Sequence, residues 1–397
     1  MPRRWLSAPL LLSILAVALL WRSETRAAPD FEIDIVKTGL DRPWSISFAP
    51  DGRLFFTSRS DTSIRLRALN LVTGEIQVFN SSPPSPVRVE SEAGVLGMEL
   101  DPNFAENGWV YICYSTYGDG MVKQNRLSRF TVNVGSATID DELPLIDDMI
   151  GALTHNGCRV VVSPDNRYLF VTMGDASNAP LAQNLDSSGG KTFRIFKDGS
   201  VPTDNPFYAA GQLPRSLIWT LGHRNHQGLA FQPATGRLWS TEHGPSQKDE
   251  LNLLQQGRNY GWPTCLGIQP ACTGVANYAP AIAEYDTDVT VATSDMTFYT
   301  GNAFPEWQGN LFFVTLKTGR LYRLRLNNET VAEQEILIDF QYGRLRDVTV
   351  GPDGYIYIST DNGGSNDRIL RLRAMAIERP FRAFLPFVHK EVTERTR

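Results

Sequence analysis

The sequence predicts an all-β protein, a six-bladed β-propeller, on three observations. Glycine (32) and proline (24) are spread through the 397 residues, and helical periodicity is scarce, which favours short strands and turns over helices. An alternating apolar run that enters a tight turn and continues into a second strand-like run occurs six times. These copies recur at roughly 45 to 75 residues, a spacing typical of four-stranded propeller blades.

The six hairpins share one kind of turn. Pro-Asp-Gly and its variants supply it, because Pro presets φ, Asp accepts backbone hydrogen bonds and Gly tolerates positive φ. Six copies argue against the alternatives, a β-sandwich or two separate β domains. We expect residues 31–36 to pair beside 368–373 and so to close the ring of blades. The hairpins occupy residues 45–58, 97–115, 160–175, 228–244, 296–316 and 347–363.

The ends of the chain predict export and a short tail. Pro2, Arg3 and Arg4 precede an apolar run over 6–21, and Arg26-Ala27-Ala28 ends a polar stretch. This pattern is typical of a secretory signal peptide (1–28), followed by the propeller domain (29–373) and a C-terminal tail of unknown role (374–397). We therefore expect a periplasmic or extracellular location. The alternative, an uncleaved membrane anchor, is weakened by the shortness of the apolar run.

Charge and cysteine content narrow the class further. The net charge of -5 comes without a long basic block, which argues against nucleic acid as a partner. Cys265 and Cys272 flank a short loop and predict a local disulfide in an oxidising compartment. Cys113 and Cys158 lie in strand-like runs and fit buried free thiols, although their pairing is left open. No CxxC or Cys/His spacing predicts structural zinc.

Unusual polar residues fall at two positions of each repeat, just before the first strand and just after the second. In a propeller these positions share one face, so different blades would deliver residues to a common rim. Four cations at this rim of an acidic protein predict a small polyanionic ligand, because Arg and Lys both suit carboxylates. The rim residues are Glu92, His155, Arg224, Asn225, Gln227, His243, Gly244, Pro245, Lys317, Arg344, Arg346 and Asp361.

Histidines and oxygen donors at the rim are less specific. Four of the five histidines lie in these loops. We interpret His223 and His226 as structural support and leave His155 open between a structural histidine and a base. The segment 243–260 offers the carbonyls of Gly244 and Pro245 together with Asp249, Glu250 and Tyr260. Such hard oxygen donors suit calcium, but a capped turn explains them equally well.

Six motifs carry a resemblance that covers Leu40 to Leu372. The chain resembles the soluble glucose dehydrogenase and aldose sugar dehydrogenase family, six-bladed propellers that depend on pyrroloquinoline quinone (PQQ). The fourth and fifth motifs are long and specific, and the order of all six agrees. They are PWSISFAPDGRLF (43–55), THNGCR (154–159), AQNL with GKTFRI (182–195), GHRNHQGLAF (222–231), EHGPSQKDELNLLQQGRNYGWP (242–263) and GRLRDVTVGPDGYIY (343–357).

The resemblance implies a role for each rim residue. His155 matches the family's general base, and Glu92 stands where the family often has Gln. The implied PQQ-binding residues are Glu92, Arg224, Asn225, Gln227, Lys317, Arg344 and Arg346, the last three gripping its carboxylates. The implied calcium ligands are Gly244 and Pro245, with Glu250 and Tyr260 at a further site.

The implied activity is oxidation of an aldose at C1 to a lactone. His155 would remove the hydroxyl proton while hydride passes to the quinone, with Arg224 near the developing oxyanion. A quinone, dye or redox protein would accept the electrons, and the protein would be a monomer or homodimer. Thr154 departs from the Asp that glucose dehydrogenases often place there to orient the base. The alternatives are a calcium-dependent propeller lactonase or hydrolase and a non-catalytic binding propeller.

Overall fold

The computed structural model of the protein describes residues 29–81, 85–285 and 290–375, whose regular secondary structure is almost entirely β-strand. Helical structure in these ranges is limited to α1 (Phe104–Asn107) and to short 3₁₀ turns at Asp119–Met121, Ala179–Gln183, Arg215–Leu217 and Pro305–Trp307. None of the helices described is long and apolar enough to cross a membrane. The predicted signal peptide and nearly all of the predicted tail lie outside the described residues, so both stay predictions.

The strands are numbered in chain order. The first twelve are β1 (Phe31–Leu40), β2 (Pro43–Phe48), β3 (Leu54–Ser58), β4 (Arg65–Leu69), β5 (Ile76–Ser81), β6 (Val95–Leu100), β7 (Trp109–Tyr117), β8 (Lys123–Asn133), β9 (Thr138–Ile150), β10 (Val160–Val162), β11 (Tyr168–Met173) and β12 (Lys191–Phe196). The remaining twelve are β13 (Ile218–Leu221), β14 (His226–Phe231), β15 (Leu238–Glu242), β16 (Asp249–Leu254), β17 (Ala283–Tyr285), β18 (Thr293–Phe298), β19 (Leu311–Thr315), β20 (Arg320–Asn327), β21 (Thr330–Asp339), β22 (Leu345–Val350), β23 (Ile356–Thr360) and β24 (Asp367–Ala374).

These strands form four sheets of four strands and one sheet of eight. The four-stranded sheets have the orders β10-β11-β12-β13, β14-β15-β16-β17, β18-β19-β20-β21 and β1-β24-β23-β22. The eight-stranded sheet, β2-β3-β4-β5-β9-β8-β7-β6, consists of two antiparallel groups of four. A short parallel pairing joins them, with Asn80 opposite Thr138 and Ser81 opposite Ile139.

Each of the six predicted hairpins is present as an antiparallel pair that starts one of these four-stranded groups. The first strands, β2, β6, β10, β14, β18 and β22, contact one another in turn, and β22 also contacts β2. Residues from all six line one cavity of about 320 Å³, called here the channel cavity. The predicted pairing of the two ends is confirmed, since β1 pairs with β24 from Phe31 opposite Ala374 to Leu40 opposite Asp367.

Apolar side chains fill the spaces between neighbouring sheets. In β19 every residue is buried, and aromatic residues pack beside it, with Trp307 stacked on Phe304 at 4.2 Å between ring centroids. Each large apolar side chain buried in this way contributes about 1.5–3 kcal/mol to folding. The first strands are thereby held in place, and the loops at their ends are fixed relative to one another.

Both pairs of cysteines are disulfides. The predicted Cys265–Cys272 bond, called here the loop disulfide, is confirmed. Cys113 and Cys158 are also bonded, with 5.5 Å between their Cα atoms, so the free-thiol interpretation is wrong. The two residues are 45 apart in sequence. They meet because Cys113 lies in β7 and Cys158 just before β10, where the first strands of neighbouring hairpins are in contact.

Candidate functional site

Loops at one end of the first strands surround a cavity of about 390 Å³, called here the rim cavity. Its wall contains Glu92, Gln227, Lys317, Arg344 and Arg346, which the sequence had assigned to one rim. They come from four different hairpins. The other lining residues are Trp44, Arg59, Leu96, Asn156, Gly157, His243, Ala292 and Leu316.

His155 stands beside this cavity in a defined orientation. Its Nδ1 lies 2.7 Å from Oδ1 of Asp175, and its backbone N–H donates to Glu92 Oε2 at 2.9 Å. Its Nε2 has no hydrogen-bond partner among the described residues. The backbone of His155 has φ of 59°, a left-handed conformation that a non-glycine residue adopts at a cost and that is common at functional sites.

Asp175 is a candidate site residue that the sequence reasoning missed. It is 1 % exposed, its Oδ2 accepts from Trp262 Nε1 at 2.8 Å, and its Oδ1 accepts from the Ser177 N–H at 2.8 Å. Thr154 bonds instead to the Ser177 hydroxyl, so Asp175 supplies the orienting carboxylate that position 154 lacks. The signal was present, because Asp175 follows the second strand of its hairpin as His243 does.

Arg224 and Asn225 lie together just before β14. Nη1 of Arg224 donates to the His243 carbonyl at 3.2 Å, and its guanidinium carbon lies 5.6 Å from the centre of the Trp262 ring. Asn225 is fully buried, yet neither its side-chain oxygen nor its side-chain nitrogen has a hydrogen-bond partner. Buried polar groups are almost always paired, so this unpartnered amide is a candidate for pairing with a ligand, although its side chain does not line the rim cavity.

Three of the predicted cations differ in exposure and in how many partners they have within the protein. Arg346 is buried and donates to Asp361 Oδ2 and, at 2.6 Å, to Gln227 Oε1. Arg344 is exposed and donates through Nε to the Asp361 carbonyl at 3.1 Å. The ammonium group of Lys317 is exposed and has no ion-pair or hydrogen-bond partner in the part of the chain that the structure describes. Lys317 is therefore the cation freest to meet an incoming anion.

Several of these cationic side chains lie close to the Asp361 carboxylate. Burial alone would raise its pKa, but the charges of Arg346 and Arg59 hold the pKa below its usual value. Arg59, which the sequence reasoning missed, lines the cavity and reaches Asp361 Oδ1 with Nη2 at 3.5 Å. It follows β3 directly, so the same positional rule that selected Lys317 would have found it.

Behind Arg224 lies a buried group of His223, His226 and Glu242. Nδ1 of His223 lies 2.8 Å from Glu242 Oε2, and the two imidazoles stack at 4.2 Å. Burial lowers the pKa of each histidine to about 3, so both are neutral at pH 7. Potential metal-ligand atoms of the three lie within 4.8 Å of one another, but both nitrogens of His223 already have partners, since Nε2 meets the Thr220 hydroxyl. The group supports Arg224, whose backbone N–H donates to Glu242.

The predicted calcium ligands Gly244 and Pro245 follow β15. The Gly244 N–H donates to Asp249 Oδ1 at 2.8 Å, and Asp249 also accepts from the Ala292 N–H, which fixes the loop. No hydrogen bond among the described residues ends on the carbonyl oxygens of Gly244 or Pro245. Two free backbone oxygens are suitable ligands for a hard cation.

Glu250 and Tyr260, assigned to a further calcium site, are engaged separately. Glu250 accepts from the Gly267 N–H at 2.6 Å, and burial raises its pKa to about 8. The Tyr260 hydroxyl donates to the Leu253 carbonyl and accepts from the Gln255 N–H, just after β16, at 3.0 Å. No hydrogen bond joins the two side chains within the described ranges. This second site stays a prediction.

Trp44 lines the rim cavity and has near its ring one arginine that lines each of the two cavities. The guanidinium carbon of Arg346 lies 5.4 Å from its ring centre and that of Arg159 lies 4.4 Å away. In the channel cavity Arg159 pairs with Asp347 at 2.6 Å and with Asp295 at 3.1 Å. The ligand-facing cations and the channel carboxylates are thus in different compartments.

Comparison with known proteins identifies the family of the chain. The sequence model of the glucose/sorbosone dehydrogenase family matches residues 40–371. The chain is 32% identical over 353 residues to aldose sugar dehydrogenase YliI of Escherichia coli (strain K12), covering 84% of this chain and 91% of that protein. It is 26% identical over 420 residues to quinoprotein glucose dehydrogenase B of Acinetobacter calcoaceticus, covering 85% of this chain and 86% of that protein.

A solved structure is similar over the same region. The PQQ-bound form of aldose sugar dehydrogenase from Streptomyces coelicolor superposes with a TM-score of 0.74 at 28% identity, covering 88% of this chain and 100% of that one. Sequence family and fold therefore lead to one assignment. The chain belongs to the glucose/sorbosone dehydrogenase family.

Proposed function

We propose that this protein oxidises aldose sugars at C1 to lactones, with PQQ as the hydride acceptor, calcium beside it and His155 as the general base. The observation that carries the proposal is the pair His155–Asp175 at 2.7 Å next to a cavity lined by cations. The family assignment supports a sugar dehydrogenase, and a PQQ-bound relative supports the cofactor.

We also propose that the six four-stranded groups are the blades of a six-bladed propeller. In support, the first strands contact in turn and β22 returns to β2. The one parallel pairing, between β5 and β9, would then be an edge contact between two neighbouring blades. On this arrangement the rim cavity is one mouth of the central channel.

The residues present suit an anion with several carboxylates. Lys317 and Arg344 are exposed to the rim cavity, and Arg346 is held by Asp361. The buried amide of Asn225 lacks partners and could pair with a polar ring substituent. PQQ, when bound, supplies a quinone that accepts hydride, and calcium on the carbonyls of Gly244 and Pro245 supplies a Lewis acid.

The proton chemistry belongs to His155. Its Nδ1–H donates to Asp175, so Nε2 is left as the lone-pair nitrogen that accepts the hydroxyl proton of the sugar. The imidazolium formed in this step is stabilised by the Asp175 carboxylate, which two further donors, Trp262 and Ser177, hold in place. Burial of Asp175 strengthens the effect because little water screens the charge.

Arg224 provides positive charge near the reacting atoms. Its guanidinium is fixed between the His243 carbonyl and the face of Trp262, and its backbone is tied to Glu242. A guanidinium positioned in advance stabilises negative charge that develops on oxygen without reorganisation during the reaction. The neutral His223 behind Glu242 keeps this support free of a competing positive charge.

Export and the electron acceptor are part of the same proposal. The predicted signal peptide and the two disulfides fit an oxidising compartment outside the cytoplasm. The reduced cofactor would be reoxidised there by a quinone, dye or redox protein.

The test begins with purified apo-protein. Titration with PQQ in the presence of calcium should show saturable binding, and a panel of aldoses should then give dye reduction. His155→Ala should bind PQQ as tightly as the wild type and lose turnover by about 10²–10⁴-fold. Turnover that survives this substitution would refute the base assignment.

The same preparations separate the alternatives. Lactone hydrolysis that continues without PQQ and stops with a chelator would instead indicate a calcium-dependent hydrolase. PQQ binding without turnover of any aldose or simple alcohol would indicate a binding propeller. Absence of PQQ binding would overturn the proposal as a whole.

A further inference from the structure

We infer that Arg59 is a further cofactor-binding residue, which completes the cationic wall of the rim cavity by holding a carboxylate of the bound anion. The inference rests on the proposed function and names a residue that the family motifs did not point to. Arg59 comes from the first hairpin, which otherwise contributes only Trp44 to the cavity wall.

The position of Arg59 is fixed from two sides. Nη1 donates to the Ser91 carbonyl at 2.5 Å, and the backbone N–H donates to the Arg42 carbonyl at 3.0 Å. The side chain is 12 % exposed. An arginine held this firmly at a cavity wall presents its planar fork in one direction, which is the arrangement that carboxylate recognition needs.

The hydrogen-bonding capacity of Arg59 is not used up within the protein. Nε is buried and has no hydrogen-bond partner, and the nearest carboxylate, Asp361 Oδ1, is 3.5 Å from Nη2. Asp361 lies closer to Arg346, whose Nε is 3.1 Å from Oδ2. Burial of Nε keeps that donor away from the cavity, whereas Nη2 meets Asp361 only at the limit of hydrogen-bond distance. The N–H groups of Nη2 are therefore the donors that an anion in the rim cavity would engage.

Charge in the cavity leads to the same conclusion. Arg59, Lys317, Arg344 and Arg346 line it, against the carboxylates of Glu92 and, behind the wall, Asp361. The cations therefore outnumber the anions even after internal pairing.

The test measures PQQ binding to apo-protein with calcium, by fluorescence quenching, for wild type, Arg59→Gln and Arg59→Lys. We expect Arg59→Gln to raise the Kd by about 10–100-fold, the usual effect of losing a charge-assisted hydrogen bond. Arg59→Lys should lie between Gln and wild type, because it keeps the charge and loses the fork. The matched control is Arg53→Gln, which removes a cation at the other end of the same hairpin.

The outcomes separate the inference from the function on which it rests. Wild type that fails to bind PQQ refutes the proposed function. Wild type that binds, with both Arg59 variants at wild-type Kd, refutes the inference, and so does an equal loss in Arg53→Gln. Thermal unfolding of the apo-proteins is measured alongside. Arg59 is structural, and the inference fails, if both Arg59 variants have a much lower melting temperature than wild type and bind PQQ normally below the temperature at which they begin to unfold.

Discussion

Replacing Asp175 by Asn tests whether a carboxylate behind His155 drives the proton transfer. Two N–H groups point at Oδ1, from His155 and Ser177, and one points at Oδ2, from Trp262. The amide oxygen of Asn can serve only one side. It should take the Oδ1 position, where it satisfies two donors, and leave the NH₂ group against the Trp262 indole.

The expected magnitude follows from this geometry. The tautomer of His155 is preserved, so the variant loses the negative charge but keeps the hydrogen bond. A hydrogen bond to a charged group is worth about 1.5–3 kcal/mol and one to a neutral group about 0.5–1.5 kcal/mol, so the exchange should cost about 1–1.5 kcal/mol, a decrease in kcat of about 5–13-fold. Asp175→Ala should cost at least as much, because the imidazole then loses its orientation as well.

The assay is aldose-dependent dye reduction at saturating PQQ and calcium, with the Kd for PQQ measured on the same preparations. The Kd should stay within about threefold of wild type, because Asp175 does not line the rim cavity. Asp186→Asn is the matched control, since it removes an exposed carboxylate paired with Arg215. A kcat for Asp175→Asn above one third of wild type would show that the charge behind His155 is not used.

Three further predictions concern stability and binding. Replacing Cys113 and Cys158 by Ser should lower the free energy of unfolding in urea by about 4 kcal/mol, against about 2 kcal/mol for opening the loop disulfide, because the closed loops span 45 and 7 residues; equal losses would contradict this. Glu99, a β6 residue that lines the channel cavity, should make stability depend on pH. Burial and the charge of Asp347 raise its pKa to about 8, so the free energy of unfolding should fall by roughly 2–5 kcal/mol as pH rises from 4.5 to 8, and Glu99→Gln should flatten this dependence in urea titrations. A parallel pH profile for the two proteins would refute the assignment. Asn225→Ala should change apo-protein stability by less than about 1 kcal/mol, because its amide has no partner, yet raise the Kd for PQQ about 10-fold; the reverse pattern would make Asn225 structural.

The repeating hairpins were predictable because alternation and turn chemistry are local properties of the sequence. The residues of one hairpin carry their own period and their own Pro-Asp-Gly turn, and the pairing of β1 with β24 followed from the need to cover an edge strand. The parallel contact between β5 and β9 had no such signal. It depends on how two neighbouring groups of strands pack against each other, and no local sequence pattern determines that packing.

The sequence predicted which residues lie at the rim of the site, but not most of the hydrogen bonds and ion pairs between them. Lys317, Arg344 and Arg346 could be placed by strand position, but the tie of Arg346 to Asp361 and Gln227 depends on packing. Asp175 was not predicted because it is distant in sequence from His155, whereas position 154 is adjacent to it. The structure brings the carboxylate from 20 residues away instead. The Cys113–Cys158 bond was missed for the same reason, since the partners belong to different hairpins.

The joining of β1 to β24 has a consequence for how this protein is made. Phe31 and Ala374 belong to opposite ends of the folded region, so their sheet cannot assemble until the last strand has been synthesised. Arg344 and Arg346 enter the rim cavity from that same sheet, whereas Trp44 enters from the hairpin that follows β1. The rim cavity is therefore complete only after the last described strand has paired, and a chain interrupted anywhere before Asp367 should fail to bind PQQ even where most of its strands have formed.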